Sequence, residues 1–234
     1  MKAVLLDLDD TLYPEMDFVR SAFAAVAADL STDVGIDAGF TRMRVLQILR
    51  RDGRGRVFDA FLHEQRLYTP ERVARMLEVY RMHPPTLRLH ADVLPTLEWL
   101  RSTGVGLGIV TDGLAYVQRA KIEALRLEAR VDVVVCTDEL GPRCAKPSRV
   151  GFERALEALG VPANRAVYIG NDATKDFYGP RRLGMTAIQI MRPGVAQVEP
   201  PSPDHAPHIV VTRLGDALVA KPKCHDPEVF DSRA

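Results

Sequence analysis

The stretch Val4-Leu5-Leu6-Asp7-Leu8-Asp9-Asp10-Thr11-Leu12-Tyr13-Pro14 (VLLDLDDTLYP) decides how this chain is read. Its first half is a buried strand, because Val4, Leu5, Leu6 and Leu8 are apolar without the alternation that a half-exposed strand would show. Its far end carries three carboxylates, Asp7, Asp9 and Asp10. A bare carboxylate at the rim of an apolar interior is costly to desolvate, so the segment demands a compensating positive charge.

Outward from this strand the period changes. Phe18, Val19, Ala22, Phe23, Val26, Ala27 and Leu30 recur at three- and four-residue steps, the pattern of an amphipathic helix. Further helices are expected over 38–51, over 57–67 after the breaker Asp52-Gly53-Arg54-Gly55-Arg56, and over 70–80 from Pro70. His83-Pro84-Pro85 ends this all-helical region. Beyond it, helices expected at 92–102, 114–127 and 148–159 (Ser148 as cap) alternate with apolar strands at 106–110, 131–136, 166–169 and 186–191. Alternation of this kind implies an α/β fold, a Rossmann-like parallel sheet covered on both faces. The expected organisation is an α/β core domain made of 1–13 and 86–220, with 14–85 inserted as an all-helical cap domain. Residues 208–211 are a candidate edge strand, 192–207 with five prolines an extended loop, and 221–234 a polar C-terminal tail.

Composition narrows the function classes. Among 234 residues, 47% are hydrophobic and 26% charged, with 31 acids balancing 31 bases. No net field draws the chain to a nucleic acid polymer or an anionic membrane. The strand begins within three residues of Met1, no apolar run approaches a membrane span, and Cys136, Cys144 and Cys224 form no pairing pattern, so a cytoplasmic protein is expected. Gly104, Gly106 and Gly108 precede a strand where a nucleotide-binding glycine loop would follow one. Cys224-His225-Asp226 lies in the polar tail, a poor platform for a catalytic triad. Trp99 is read as core.

In open parallel sheets, ligands bind beyond the carboxyl ends of the strands. There the sequence places Asp7 and Asp9, then Thr111-Asp112-Gly113, then Lys146-Pro147, then Gly170-Asn171-Asp172 with Asp176. Gathered carboxylates repel one another, and a hard divalent cation such as Mg2+ relieves that repulsion. A carboxylate beside Mg2+ and a lysine makes a phosphate site, with Thr111 and Lys146 holding phosphoryl oxygens.

These four segments, in order, resemble the four motifs of the haloacid dehalogenase (HAD) superfamily, and the 14–85 segment resembles its helical cap. The resemblance implies a HAD fold and a phosphatase passing through an aspartyl-phosphate: Asp7 as nucleophile, Asp9 as general acid and then base, Thr111, Asp112, Gly113 and Lys146 around the phosphoryl group. It implies Mg2+ held by the Asp7 carboxylate, the Asp9 carbonyl and an acid of the last motif. Two departures stand out. Asp112 occupies a position where many relatives have Asn, which raises charge near the phosphate. Asn171 stands where an acid usually follows the glycine, so Asp172 is the favoured ligand, Asp176 its second-shell partner, and Asn171 an alternative through its amide oxygen.

The expected activity is Mg2+-dependent hydrolysis of a small phosphomonoester. Thr11-Leu12-Tyr13-Pro14 resembles the pyrimidine 5′-nucleotidase-like branch, which puts a nucleoside 5′-monophosphate first, then phosphoglycolate or a sugar phosphate. Alternatives on the same fold are a phosphosugar mutase, a 2-haloacid dehalogenase, and a catalytically silent binding module. The chain is read as a monomer or a homodimer joined through the cap surface.

Overall fold

The structure, a computed structural model, describes residues 1–219, so the expected tail at 221–234 lies outside the described residues. Six parallel strands form one sheet: β1 (Ala3–Leu6), β2 (Gly106–Thr111), β3 (Val133–Cys136), β4 (Ala166–Gly170), β5 (Thr186–Ile190) and β6 (Ile209–Val211). Their spatial order is β3-β2-β1-β4-β5-β6, with Leu6 beside Ile109 on one side and Ile169 on the other. The chain winds outward through β2 and β3, then returns to β4 on the opposite side of β1. That reversal opens a crevice at the carboxyl end of β1, where its acids sit.

Successive β1 side chains feed two separate cores. Val4 and Leu6 pack with α5 (Val93–Ser102) and α6 (Ala115–Ala124) through Leu97, Leu100, Val117 and Ile122. Ala3 and Leu5 face the opposite way, with Phe152, Ala155 and Leu156 of α7 (Val150–Leu159). Burial on both faces accounts for the unbroken apolar run, each fully buried leucine or valine contributing roughly 1.5–3 kcal/mol.

Four helices occupy the chain between β1 and α5: α1 (Glu15–Val34), α2 (Ala38–Asp52), α3 (Val57–Glu64) and α4 (Pro70–Met82). They bury their own cluster, including Phe23, Val26, Val45, Ile48, Phe61, Leu62 and Met76. Asp37 caps α2 by accepting from Phe40 N–H at 2.7 Å, and Thr69 caps α4 by accepting from Arg72 N–H at 3.1 Å. Gly53, at φ +77°, ends α2 where the sequence placed its breaker.

The segment after β1 is tied to the sheet by a buried ion pair. Arg192, in the loop after β5, donates to the Thr11 carbonyl at 2.9 Å and to both Asp92 oxygens at 2.9 Å. Asp92 also accepts from Leu214 N–H at 2.7 Å. Burial works against its charge, yet Arg192 and this amide hold its carboxyl below the usual range.

Two local expectations need correction. Trp99 is 52% exposed, because the buried stripe of α5 runs through Val93, Thr96, Leu97 and Leu100 and passes it by. Helix α7 begins at Val150, with Arg149 in the cap position; the Ser148 hydroxyl accepts from Val150 N–H at 3.4 Å without capping the first turn. Among the described residues, no helix is long and apolar enough to cross a membrane.

Candidate active site

Asp7 follows β1 directly, and its N–H donates to the Ile169 carbonyl at 2.9 Å, fixing the residue against β4. The positive charge the sequence demanded is Lys146, whose side chain is 0% exposed. Its Nζ donates to Asp7 Oδ1 at 2.7 Å, Asp176 Oδ1 at 2.7 Å and the Tyr168 hydroxyl at 3.1 Å, so all three ammonium hydrogens have acceptors. Asp176 is the better satisfied carboxylate. It also accepts from Asn171 N–H at 3.0 Å and Asp172 N–H at 2.8 Å; despite burial, Lys146 and these amides hold it below its ordinary range. Asp7 is pushed up to about 7 by burial, which Lys146 opposes and the Asp176 charge reinforces. One ammonium serves two buried carboxylates, and the deficit falls on Asp7.

Gly170 makes this packing feasible. A Cβ at that position would stand 2.5 Å from Asp176 Oδ2, the oxygen that takes the two loop amides. Gly170→Ala is expected to displace Asp176 and lower kcat by about tenfold or more, through misplacement of Lys146 and Asp7. Steady-state kinetics on the variant checks this, and wild-type kcat would contradict it.

The Asp9 side chain takes a different partner set. Lys121 Nζ lies 2.8 and 3.0 Å from its two oxygens, Gln118 Nε2 donates at 2.9 Å, and the Tyr13 hydroxyl donates to it as well. Although burial raises it, Lys121 and these donors leave its carboxyl below the ordinary value. Lys121 also sits 4.6 Å above the Phe18 ring of α1, joining the core to the helical segment. Lys121, Gln118 and Tyr13 were not identified from the sequence. No sequence signal marks Gln118 and Lys121, whose burial beside Val117 and Ile122 on α6, immediately after the Thr111 turn, shows only in the structure.

Thr111 ends β2 with its hydroxyl accepting from Gln118 Nε2 at 2.6 Å. Gly113, at φ +112°, makes the turn that follows. The Asp112 carboxylate accepts from the Thr137 hydroxyl at 2.7 Å and Lys146 N–H at 3.1 Å. It thereby ties the end of β2 to the β3 end and to the lysine loop, and this tethering is the visible work of the side chain.

In the last loop the side chains of Asn171 and Asp172 have different partners. The Asp172 carboxylate is taken by its own turn, accepting from Thr174 N–H at 2.9 Å and the Thr174 hydroxyl at 2.6 Å, with Lys175 Nζ 3.9 Å from its other oxygen. Asn171 is the residue that reaches Asp7: its amide stands 3.2 Å from both Asp7 Oδ2 and the Asp9 carbonyl oxygen. With nitrogen turned inward, that amide donates to both. With oxygen turned inward, the Asn171 oxygen stands 3.2 Å from both other oxygens, a set of donor types that fits a hard cation such as Mg2+. Among the described residues there is no group of three or more His, Cys, Asp or Glu placed to hold a metal, so the fit rests on a carboxylate, a carbonyl and an amide.

Comparison with known proteins places the chain in a family. Residues 1–184 match the family model described as haloacid dehalogenase-like hydrolase. A glyceraldehyde 3-phosphate phosphatase of Methanopyrus kandleri is 33% identical over 225 residues, covering 93% of this chain and 96% of the relative. A phosphoserine phosphatase of Thermus thermophilus is 26% identical, covering 94% and 99%. The crystal structure of a HAD phosphatase from Thermococcus onnurineus superimposes with a TM-score of 0.61 at 33% identity, covering 93% and 96%. The chain belongs to the haloacid dehalogenase-like hydrolase family. Family and relatives together make it a hydrolase of phosphoric monoesters.

Proposed function

We propose that the protein cleaves a small, three-carbon-type phosphorylated metabolite through an aspartyl-phosphate on Asp7, with Mg2+ as cofactor. The observation that carries this reading is the buried Asp7–Lys146–Asp176 group with Asn171 and the Asp9 carbonyl beside the free Asp7 oxygen. An Asp7 oxygen attacks phosphorus and the ester P–O bond breaks; Asp9, ionised beside Lys121 in the free protein, takes up a proton as substrate binds and hands it to the departing alkoxide. Asp9 then takes a proton from water, whose oxygen attacks phosphorus; the Asp7–phosphorus bond breaks and inorganic phosphate leaves. Lys146 and the Thr111 hydroxyl offset charge growing on the phosphoryl oxygens. Mg2+, held by Asp7, the Asp9 carbonyl and Asn171, supplies Lewis-acid charge stabilisation when bound.

The helices α1–α4 act as the cap in this reading. Of the arginines of the 42–56 region, Arg44 and Arg51 are engaged with Glu64 and Asp52. Arg54 pairs with Glu15 at 2.6 Å, and Glu15 N–H donates to Asp10 at 2.8 Å beside the nucleophile strand. Arg54 and Arg56 line a cavity of 230 Å³ with Phe23, Phe58 and Tyr80 inside the helical segment, with none of Asp7, Asp9, Thr111 or Lys146 in its wall. The relatives named for glyceraldehyde 3-phosphate and phosphoserine favour such substrates, and the nucleoside monophosphate suggested by Thr11-Leu12-Tyr13-Pro14 falls behind them.

A panel of glyceraldehyde 3-phosphate, phosphoserine, phosphoglycolate, sugar phosphates and nucleoside 5′-monophosphates tests the reading. Phosphate release from the three-carbon esters is expected with Mg2+, lost with EDTA and restored by added Mg2+. Asn171→Ala should raise the Mg2+ concentration for half-activation by about tenfold or more, against little change in Asp172→Asn. Unchanged turnover in EDTA refutes the cofactor, and nucleotides outrunning every three-carbon ester refutes the substrate class.

A further inference from the structure

We infer that Gln118 is a positioning residue that commits the Thr111 hydroxyl to donate to the phosphoryl group and holds Asp9 in register with it. The inference rests on the roles proposed above for Thr111 and Asp9.

Gln118 lies on α6 and is 2% exposed. A buried amide on an apolar helix face is costly unless its hydrogens are used. Both are used, and both in the site: Nε2 donates to Thr111 Oγ1 at 2.6 Å and to Asp9 Oδ2 at 2.9 Å. The direction of the amide is fixed by chemistry, since an ionised carboxylate accepts hydrogen bonds and cannot donate one. The amide oxygen and its carbon lie 3.5 Å from where a Gly113 Cβ would stand, so the turn itself packs against the group.

A hydroxyl has a single hydrogen. Because Thr111 Oγ1 receives one from Gln118, its own must point elsewhere. Among the described residues no group accepts it. A phosphoryl oxygen, which can only accept, is the partner that this arrangement awaits. The same NH2 group fixes Asp9 relative to Thr111, so the group that binds the phosphoryl oxygen and the group that protonates the leaving oxygen share one anchor. Lys121 grips Asp9 from a second direction, at 2.8 and 3.0 Å, so among the described residues Gln118 alone hydrogen-bonds the side chains of both Asp9 and Thr111.

Two variants separate this role from packing. Gln118→Met keeps the length and removes both donors. Gln118→Glu keeps the shape but supplies acceptors, which draws the Thr111 hydrogen back and repels Asp9. With Mg2+ present, Gln118→Met is expected to lower kcat about tenfold or more and to weaken inhibition by orthovanadate by a similar factor, with substrate KM changing less. Gln118→Glu should lose more in both measures. In a Thr111→Val background, Gln118→Met should weaken orthovanadate by less than about twofold, because the hydroxyl it aims is already gone.

Kinetics and orthovanadate affinity within twofold of wild type, in a Gln118→Met protein with an unchanged circular dichroism spectrum, overturn the inference. An equal loss in the wild-type and Thr111→Val backgrounds also overturns it, since packing alone would then explain the effect. Should Gln118→Met not fold, Gln118→Glu decides, and wild-type kcat in that variant is the refuting result. Thr111→Val with wild-type orthovanadate affinity refutes the assignment of Thr111 and this inference with it; an unaltered Gln118→Met beside a damaged Thr111→Val refutes this inference alone.

Discussion

Asp7→Asn is expected to remove at least about a thousandfold of the phosphatase turnover, on the scale of losing the nucleophile from a set of residues that act together. The amide is nearly the same shape, and its oxygen can still accept from Lys146 Nζ, which keeps Asp176 and Tyr168 as partners. Stability should hold or rise. Burial pushes the Asp7 carboxyl up to about 7, above its ordinary value, so in the metal-free protein its ionised form weakens the fold as pH climbs through that window. Asparagine removes the penalty. In a chelator at about pH 8, the variant should therefore melt no lower than wild type. The two measurements are separable: residual turnover above about a tenth of wild type would refute Asp7 as nucleophile, and a collapsed melting transition would show that its charge holds the site together.

Much of this arrangement was legible because the decisive segment obeys strong constraints. An unbroken apolar run ending in acids has few homes other than the centre of a covered parallel sheet, and β1 lies at the middle of the six strands. Asp7, Thr111, Lys146 and Asp176 each end a strand or lie in the loop that follows one, so strand order brings them to the same edge of the sheet. What the sequence concealed was which oxygen turns inward. Asp172 was the obvious acid, but Thr174, two residues on, offers both an amide and a hydroxyl and captures it locally, leaving Asn171 to reach Asp7.

Gln118 and Lys121 were hidden for a different reason. Helical periodicity reads them as ordinary polar positions, and their partner Asp9 lies 109 and 112 residues away in sequence. The Thr11-Leu12-Tyr13-Pro14 segment is silent on the substrate for another reason. It suggested a nucleotide, yet the structure spends it on the scaffold. The Thr11 carbonyl accepts from Arg192, the Leu12 carbonyl accepts from His90 N–H, Tyr13 bonds Asp9, and Pro14 precedes α1. None of these contacts would distinguish a base from a triose.

Lys146→Met carries the largest expected effect on the fold. It removes the cation shared by Asp7 and Asp176 while keeping most of the apolar stem, so two buried carboxylates face each other unpaired. Breaking a buried ion pair from one side costs about 3–5 kcal/mol. For a chain of this size, about 2–4 °C per kcal/mol makes the expected loss of melting temperature roughly 10 °C.

The pH dependence follows from the partners. In the wild type, Lys146 helps hold Asp176 below its ordinary value, a contribution present above the unfolded carboxylate pKa and lost as pH falls through the folded one. Without the lysine, burial and mutual repulsion push both carboxyls upward, so the folded variant retains protons that the unfolded chain releases. The stability gap between wild type and Lys146→Met should thus be widest near about pH 8 and narrow as pH falls toward about pH 4, where the variant's folded carboxyls are protonated and those of the unfolded chain about half so. A gap of constant width would mean that Lys146 serves packing more than charge. Added Mg2+ sharpens the test, because a ligand that binds only the folded state stabilises it by mass action. A dication held by Asp7, Asn171 and the Asp9 carbonyl replaces part of the missing charge, so Mg2+ should raise the melting temperature of Lys146→Met. If Mg2+ left that variant where the chelator put it, the ion would not be reading the Asp7 carboxylate, and the charge deficit on that residue would have to be met by the substrate or by Lys175.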